Sequence, residues 1–316
     1  MNPQIPYGED VISRINYCID NAEGRQQMSA AVVDGLNTLI EQAISDGGQY
    51  TDRHIGRSDI EDAAVCGNTC MHHLLLQLDP EPLGSVPFAP IARSGLHLKA
   101  RDLGLRINPA ANVYTLPNIA GFVGGDNVGV ILAEEPQSSE DTVLIIDIGT
   151  NGELVIGNRQ RQVCSACSCA TGPALEGAQI EFGMRAAPGA IERVTIAHDT
   201  YAVDYKVVGR DAWLRYSDPG QMQVRGICGS AVLDALAELF KAGIVAGSGA
   251  FSPGVETGRL RDNPDTGQKE FVLAWSAETA IGKDVVITQN DIRQIQLAKA
   301  AIYTGCKLML QRMNLQ

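Results

Sequence analysis

Apolar positions recur at helical spacing early in the chain and as short unbroken or alternating runs later. From Ala30 to Ala43 (AAVVDGLNTLIEQA) the spacing predicts a helix, and Asp46-Gly47-Gly48 stops it. Ile60 to Val65 reads as a short strand, Cys66 to Thr69 as a turn, and Cys70 to Leu78 as a helix capped by Asn68 or Thr69. Prolines 80, 82, 87 and 90 predict loop. A strand follows at Val113 to Leu116, and Gly121, Gly124 and Gly125 open a helix near Val128 to Glu135. The polar stretch Glu134 to Asp141 (EEPQSSED) marks the domain boundary. Beyond it, Thr142 to Ile146 is a continuous apolar run, the pattern of a central strand covered on both faces. Glu153 to Ile156 and Val163 to Ala170 complete a strand–turn–strand–strand series. Ser230 to Ala242 and Asn290 to Met313 are amphipathic helices, and the polar residues from Thr257 to Glu270 predict an exposed excursion.

Composition narrows the function classes. With 25 basic and 37 acidic residues the net charge is −12 and no Lys/Arg cluster stands out, which argues against a nucleic-acid partner. No apolar run approaches the roughly 18 residues of a membrane span, and the first residues lack a signal-peptide pattern. Eight scattered cysteines fit reduced thiols rather than a secreted disulfide framework. These features together predict a cytoplasmic location.

The sharpest chemical feature is LIIDIGTNGE, residues 144 to 153. An apolar strand delivers Asp147 to its end, where a carboxylate can hold Mg²⁺ through water. Gly149 and Gly152 let the backbone approach a phosphate, and Thr150 and Asn151 offer N–H and side-chain donors. The bland reading is a hairpin with an Asn-Gly turn. Asp126, in the GFVGGDN stretch, is either a water-orienting carboxylate or a capping residue. Gly226, Gly229 and Ser230 precede a helix whose N-terminus favours anions, or they are a plain helix start. Glu176, between Gly172 and Gly177, reads as a general base or as a solvated carboxylate. His72 and His73 read as packing or surface residues. Cys164, Cys167 and Cys169 fit small-residue packing on a strand better than a metal site, because no nearby fourth ligand is evident.

Several blocks carry a resemblance. LIIDIGTNGELVIGN, CSCATGPALEGAQIEFGMRAAPGAIE, GICGSAVLDALAELFKAGIV and ITQNDIRQIQLAKAAI resemble the C-terminal, ASKHA-type ATPase region of the reductive activators of corrinoid proteins. NPQIPYGEDVISRI, CGNTCMHHLLL and TLPNIAGFVGGDNVG resemble the first lobe of the same region. The resemblance implies an α/β fold of two RNase H-like lobes, as in acetate and sugar kinases, heat-shock chaperones and actin. Residues 1–137 would form the first lobe, without its N-terminal phosphate hairpin. Residues 138–316 would form the second, with an inserted subdomain and without the adenosine loop. The fold would thus be incomplete at both ends.

The resemblance also implies an ATPase that uses ATP and Mg²⁺ to drive electron transfer to cob(II)alamin in a corrinoid or corrinoid iron–sulfur protein partner. A [2Fe-2S] cluster belongs to a domain absent from this chain, and a homodimer is compatible with the family pattern. On that pattern Asp147, Gly149, Thr150, Asn151 and Gly152 match the second-lobe phosphate loop. Asp126 faces the Mg²⁺ and the attacking water. A metabolite kinase of the same fold and a non-catalytic, nucleotide-dependent docking module are the alternatives.

Overall fold

The computed structural model describes residues 2–48, 55–149 and 151–315. The chain divides into two compact units, Met1–Ile145 with Val155–Ser168, and Ile146–Leu154 with Cys169–Gln316.

In the first unit, helix α1 (Val11–Asp20) starts at a reciprocal cap. Asp10 Oδ1 accepts the Ser13 N–H at 2.7 Å, and Ser13 Oγ accepts the Asp10 N–H at 3.0 Å. Helix α2 spans Gly24–Gly47, longer at both ends than the apolar spacing predicts. Strand β1 (Asp62–Val65) leads into helix α3 (Thr69–Leu75), whose cap is Asn68, accepting the Met71 N–H at 2.9 Å. Strand β2 (Leu96–Lys99) and helix α4 (Ala100–Leu103) lie beyond the proline-rich loop, too short to register as periodic runs. Strand β3 (Asn112–Thr115) takes the centre of a sheet ordered β1-β3-β2, parallel to β1 and antiparallel to β2. Helix α5 (Gly125–Glu134) follows. Gly124, its cap, has to be glycine, because a Cβ there would lie 2.6 Å from the Thr69 nitrogen and 2.7 Å from Asn68 Cα. The start of α5 is thereby locked against the start of α3.

The second unit holds the larger core. Strands β7 (Ala190–Ile196), β8 (Val203–Val207) and β9 (Gly226–Ile227) form a sheet ordered β8-β7-β9, and helix α6 (Gly229–Lys241) packs on β7. Strands β10 (Leu260–Asp262), β11 (Lys269–Ala274) and β12 (Val285–Thr288) form an antiparallel sheet that feeds helix α7 (Gln289–Arg312). The predicted excursion at 257–270 is therefore partly strand. Glu270, at its end, is buried against Arg261 at 2.8 Å. Tyr205, Phe271, Ile227 and Leu239 are among the fully buried side chains of this unit.

Strands β4 (Val143–Ile148), β5 (Gly152–Asn158) and β6 (Val163–Cys169) form the remaining sheet, in that order. The boundary between the units passes through all three strands. The strand expected at Thr142 to Ile146 exists, but it is not covered on both faces. Burial alternates along β4, and Leu144, Ile146 and Ile148 are 42%, 42% and 49% exposed. The physical reason is position: β4 lies at the sheet edge, and the strand buried on both faces is its neighbour β5, where Leu154, Val155 and Ile156 are fully buried.

Candidate functional site

The candidate phosphate hairpin lies in the second unit, at the turn between β4 and β5. Asp147 shares the half-buried face of β4 with Ile145, one residue before the strand ends at Ile148. The turn is closed by the Gly149 N–H donating to the Asn151 carbonyl at 3.0 Å. That N–H is therefore committed to the turn. Thr171 Oγ1 donates to the Gly149 carbonyl at 3.3 Å, tying the tip to the segment after β6. Thr150 lies outside the described residues.

Around Gly149 there is room. A Cβ there would meet only the Asn151 carbonyl oxygen at 3.5 Å and Glu176 Oε1 at 3.6 Å. The exposed Glu176 carboxylate thus stands beside the hairpin tip, on a short 3₁₀ turn (Pro173–Glu176) held between Gly172 and Gly177, both with positive φ. The same turn touches the start of α6. A Cβ on Gly229 would collide with the Leu175 carbonyl oxygen and lie 3.1 Å from Glu176 Cα. The segment from Thr171 to Gly177 therefore bridges two sets of candidate residues, the hairpin tip and the α6 N-terminus.

At the α6 end the glycines answer to packing. Gly226 has the Phe182 carbonyl oxygen 2.5 Å from where a Cβ would lie, and Gly229 sits on Leu175. The Ser230 hydroxyl donates to the Glu192 carbonyl at 2.9 Å and contacts Cys228 Sγ at 3.3 Å.

Asp126 lies in the first unit, half-buried in the first turn of α5. Its N–H donates to the Gly67 carbonyl at 3.1 Å, and its Oδ1 accepts the Asn127 N–H at 2.8 Å. The cap position belongs to Gly124, so Asp126 is not the capping residue. Beside it, Asn127 is fully buried with neither side-chain amide atom hydrogen-bonded.

The two histidines of α3 are packing residues. His73 Nδ1 lies 2.8 Å from the Thr69 carbonyl and its Nε2 accepts the Ile91 N–H at 2.9 Å, which fixes a neutral ring. His72 lines a small cavity of about 100 Å³ with Gly67, Thr115 and Leu116. Burial, and then the neighbouring His73, push the His72 pKa down from 6.5 to about 4.

Among the described residues, no group of three or more His, Cys, Asp or Glu side chains is placed to hold a metal ion. Cys164 is exposed on β6, and Cys169 packs its sulfur against Gly305 of α7. Asp147 and Glu176 could therefore hold a divalent cation only together with water and the oxygens of a bound anion, the habit of Mg²⁺. The pairing has a second consequence. A phosphate alone at the tip would face the Glu176 carboxylate, whereas a phosphate carrying Mg²⁺ would not be repelled. Nucleotide with Mg²⁺ fits this donor set.

Glu176 is the residue that reading by motif undervalued. Its signal was the Gly172–Gly177 bracket, but only the folded chain brings it to Gly149.

Residues 141–316 match the family described as the C-terminal domain of RACo, the ASKHA domain. The chain belongs to the RACo family. Residues 1–139 match the RACo middle region. The chain is 36% identical over 321 aligned residues to the corrinoid activation enzyme RamQ of Eubacterium limosum, a match covering all of this chain and 50% of RamQ. It is 27% identical over 270 residues to the [Co(II) methylated amine-specific corrinoid protein] reductase of Methanosarcina barkeri, covering 78% of this chain and 45% of that protein. A solved structure titled "Reductive activator for corrinoid,iron-sulfur protein" superposes with a TM-score of 0.78 at 40% identity, covering 100% of this chain and 47% of its own. The mixed α/β architecture is thus that of an ASKHA domain. The chain spans about half the length of the RACo relatives it matches. No helix among the described residues is long and apolar enough to cross a membrane.

Proposed function

We propose that the chain is the nucleotide-responsive part of an ATP-dependent reductive activator of corrinoid proteins. The observation that carries the nucleotide assignment is the open hairpin tip at Gly149 with the Glu176 carboxylate beside it, at the end of the strand that carries Asp147. The redox role follows from what the RACo relatives are named for, activation or reduction of corrinoid proteins. Residues 1–137 and 138–316 are taken as the two RNase H-like lobes.

In this reading Asp147 and Glu176 would hold hydrated Mg²⁺, and Asn151 and the Gly152 backbone would receive the phosphates, with Gly149 leaving room for them. Asp126 is the carboxylate proposed to orient the attacking water. Bound ATP supplies the free energy that makes one-electron reduction of cob(II)alamin to cob(I)alamin favourable. The [2Fe-2S] group that the family resemblance implies would supply the electron, and the partner would be a corrinoid or corrinoid iron–sulfur protein.

The test is Mg·ATP binding and corrinoid-stimulated hydrolysis in wild type, Asp147→Asn and Asp126→Asn. Asp147→Asn removes charge with little change of shape, and binding should weaken roughly tenfold, about 1.4 kcal/mol. Asp126→Asn should lower turnover more than affinity. Normal binding by Asp147→Asn with an intact circular dichroism spectrum would show that the hairpin is only a hairpin.

A further inference from the structure

Helix α5 needs a capping side chain and cannot carry one at its own cap position. Gly124 stands there, and any Cβ would strike the start of α3. The first three N–H groups of the helix still find acceptors, as an enclosed helix end requires. The Asp126 N–H goes to the Gly67 carbonyl, and the Asn127 N–H goes to Asp126 Oδ1. The Gly125 N–H donates to Asn118 Oδ1 at 3.2 Å, a side chain seven residues earlier in the chain. Asn118 is thus the cap that Gly124 cannot be.

Asn118 is itself held firmly. It is 4% exposed, its N–H donates to the Arg93 carbonyl at 2.8 Å, and its Nδ2 donates to the Ala92 carbonyl at 3.2 Å. The strap from Phe88 to Arg93 is fixed in turn. The Ile91 N–H donates to His73 Nε2 at 2.9 Å, and a Cβ on Gly121 would lie 2.1 Å from the Phe88 carbonyl oxygen. One carboxamide therefore joins this strap to the residue next to Asp126, its oxygen serving α5 and its nitrogen the strap.

We propose that Asn118 is a positioning residue for Asp126. Its Oδ1 fixes the first residue of α5, and with it the direction in which the neighbouring carboxylate meets the attacking water. Asn118 acts through the backbone at Gly125. The inference rests on the reading of Asp126 as the water-orienting carboxylate. A misplacement of about 1 Å in such a group can cost on the order of 100-fold in rate, so a single capping bond is enough to matter. The two ends of the carboxamide can be separated by chemistry. Aspartate at this position keeps the acceptor for Gly125 and loses the donor for Ala92, whereas alanine loses both.

The test measures Mg·ATP hydrolysis and amide hydrogen exchange in wild type, Asn118→Ala, Asn118→Asp and Asp126→Asn. Asn118→Ala should lower kcat about tenfold, leave KM for Mg·ATP within about twofold, and speed exchange of the Gly125 amide about tenfold. Asn118→Asp should restore protection at Gly125 and recover most of kcat. Asn118→Ser, whose side chain ends one atom earlier, takes the place of alanine if that variant does not fold, and should show the same losses. A wild-type kcat in Asn118→Ala beside a slow Asp126→Asn would overturn the proposal and leave the reading of Asp126 standing. Unchanged exchange at Gly125 would also overturn it, as would an Asn118→Asp variant no faster than Asn118→Ala. A normal kcat in Asp126→Asn would overturn the reading of Asp126 and this inference with it.

Discussion

Acidification should loosen the first unit through His72, by an amount the structure sets. The ring is 6% exposed. Its Nε2 lies 3.3 Å from Thr115 Oγ1, its Nδ1 has no hydrogen-bond partner, and the His73 ring stands edge-on at 5.6 Å. Protonation would place a charge where only one weak polar contact can receive it, so the folded state holds the ring neutral down to about pH 4. In the unfolded chain the same ring gains its proton near 6.5. The folded pKa is the lower one, so the stabilisation is complete above pH 6.5 and is lost as pH falls from 6.5 toward 4. The full difference is about 3 kcal/mol, and about 2 kcal/mol of it is already gone at pH 5.

Both tryptophans, Trp213 and Trp275, lie in the second unit, so fluorescence does not follow this change. Hydrogen exchange of the α3 amides between pH 7.5 and 5, corrected for intrinsic rates, reports it directly. Carboxylates titrate in the same window, and His72→Gln isolates the ring. The variant's opening free energy should fall about 2 kcal/mol less than the wild type's. Equal losses, or an NMR titration placing the His72 pKa near 6.5, would refute the reasoning.

Three further outcomes concern the second unit, where tryptophan fluorescence in urea is the readout. Gly229→Ala drives a methyl group onto the Leu175 carbonyl and should cost about 3 kcal/mol, the upper end for overpacking, while also displacing Glu176. Leu239→Ala empties a fully buried position of α6 and should cost about 2–5 kcal/mol. Asp291→Ala removes the acceptor of the Thr288 N–H at 2.8 Å and of the Glu181 N–H at 2.9 Å from a buried site, for a loss of about 2 kcal/mol.

Local chemistry in the sequence determined a good deal. The helix at Asn290 to Met313 and the one at Ser230 to Ala242 were legible because their apolar spacing is helical over many residues. Asn68 could be named as one of two caps for α3 because its side chain acts on a backbone group only three residues away. The hairpin carrying Asp147, Gly149 and Asn151 was legible for the same reason, since a turn is made by its own residues.

What the sequence left open depends on residues far apart in the chain. The apolar run at 142–146 could not show whether β4 is central or at an edge, because that depends on which strands lie beside it. Short strands such as β2 and β9 hold few residues of their own and exist through pairing with β3 and β7. The glycines at 226 and 229 read in one dimension either as an anion-favouring helix start or as a plain one. In three dimensions they are spaces that Phe182 and Leu175 require, a contact no local pattern encodes. Glu176 stands 27 positions from Gly149 in the sequence and beside it in the fold, because β5, β6 and the turn after them carry the chain back to the hairpin tip.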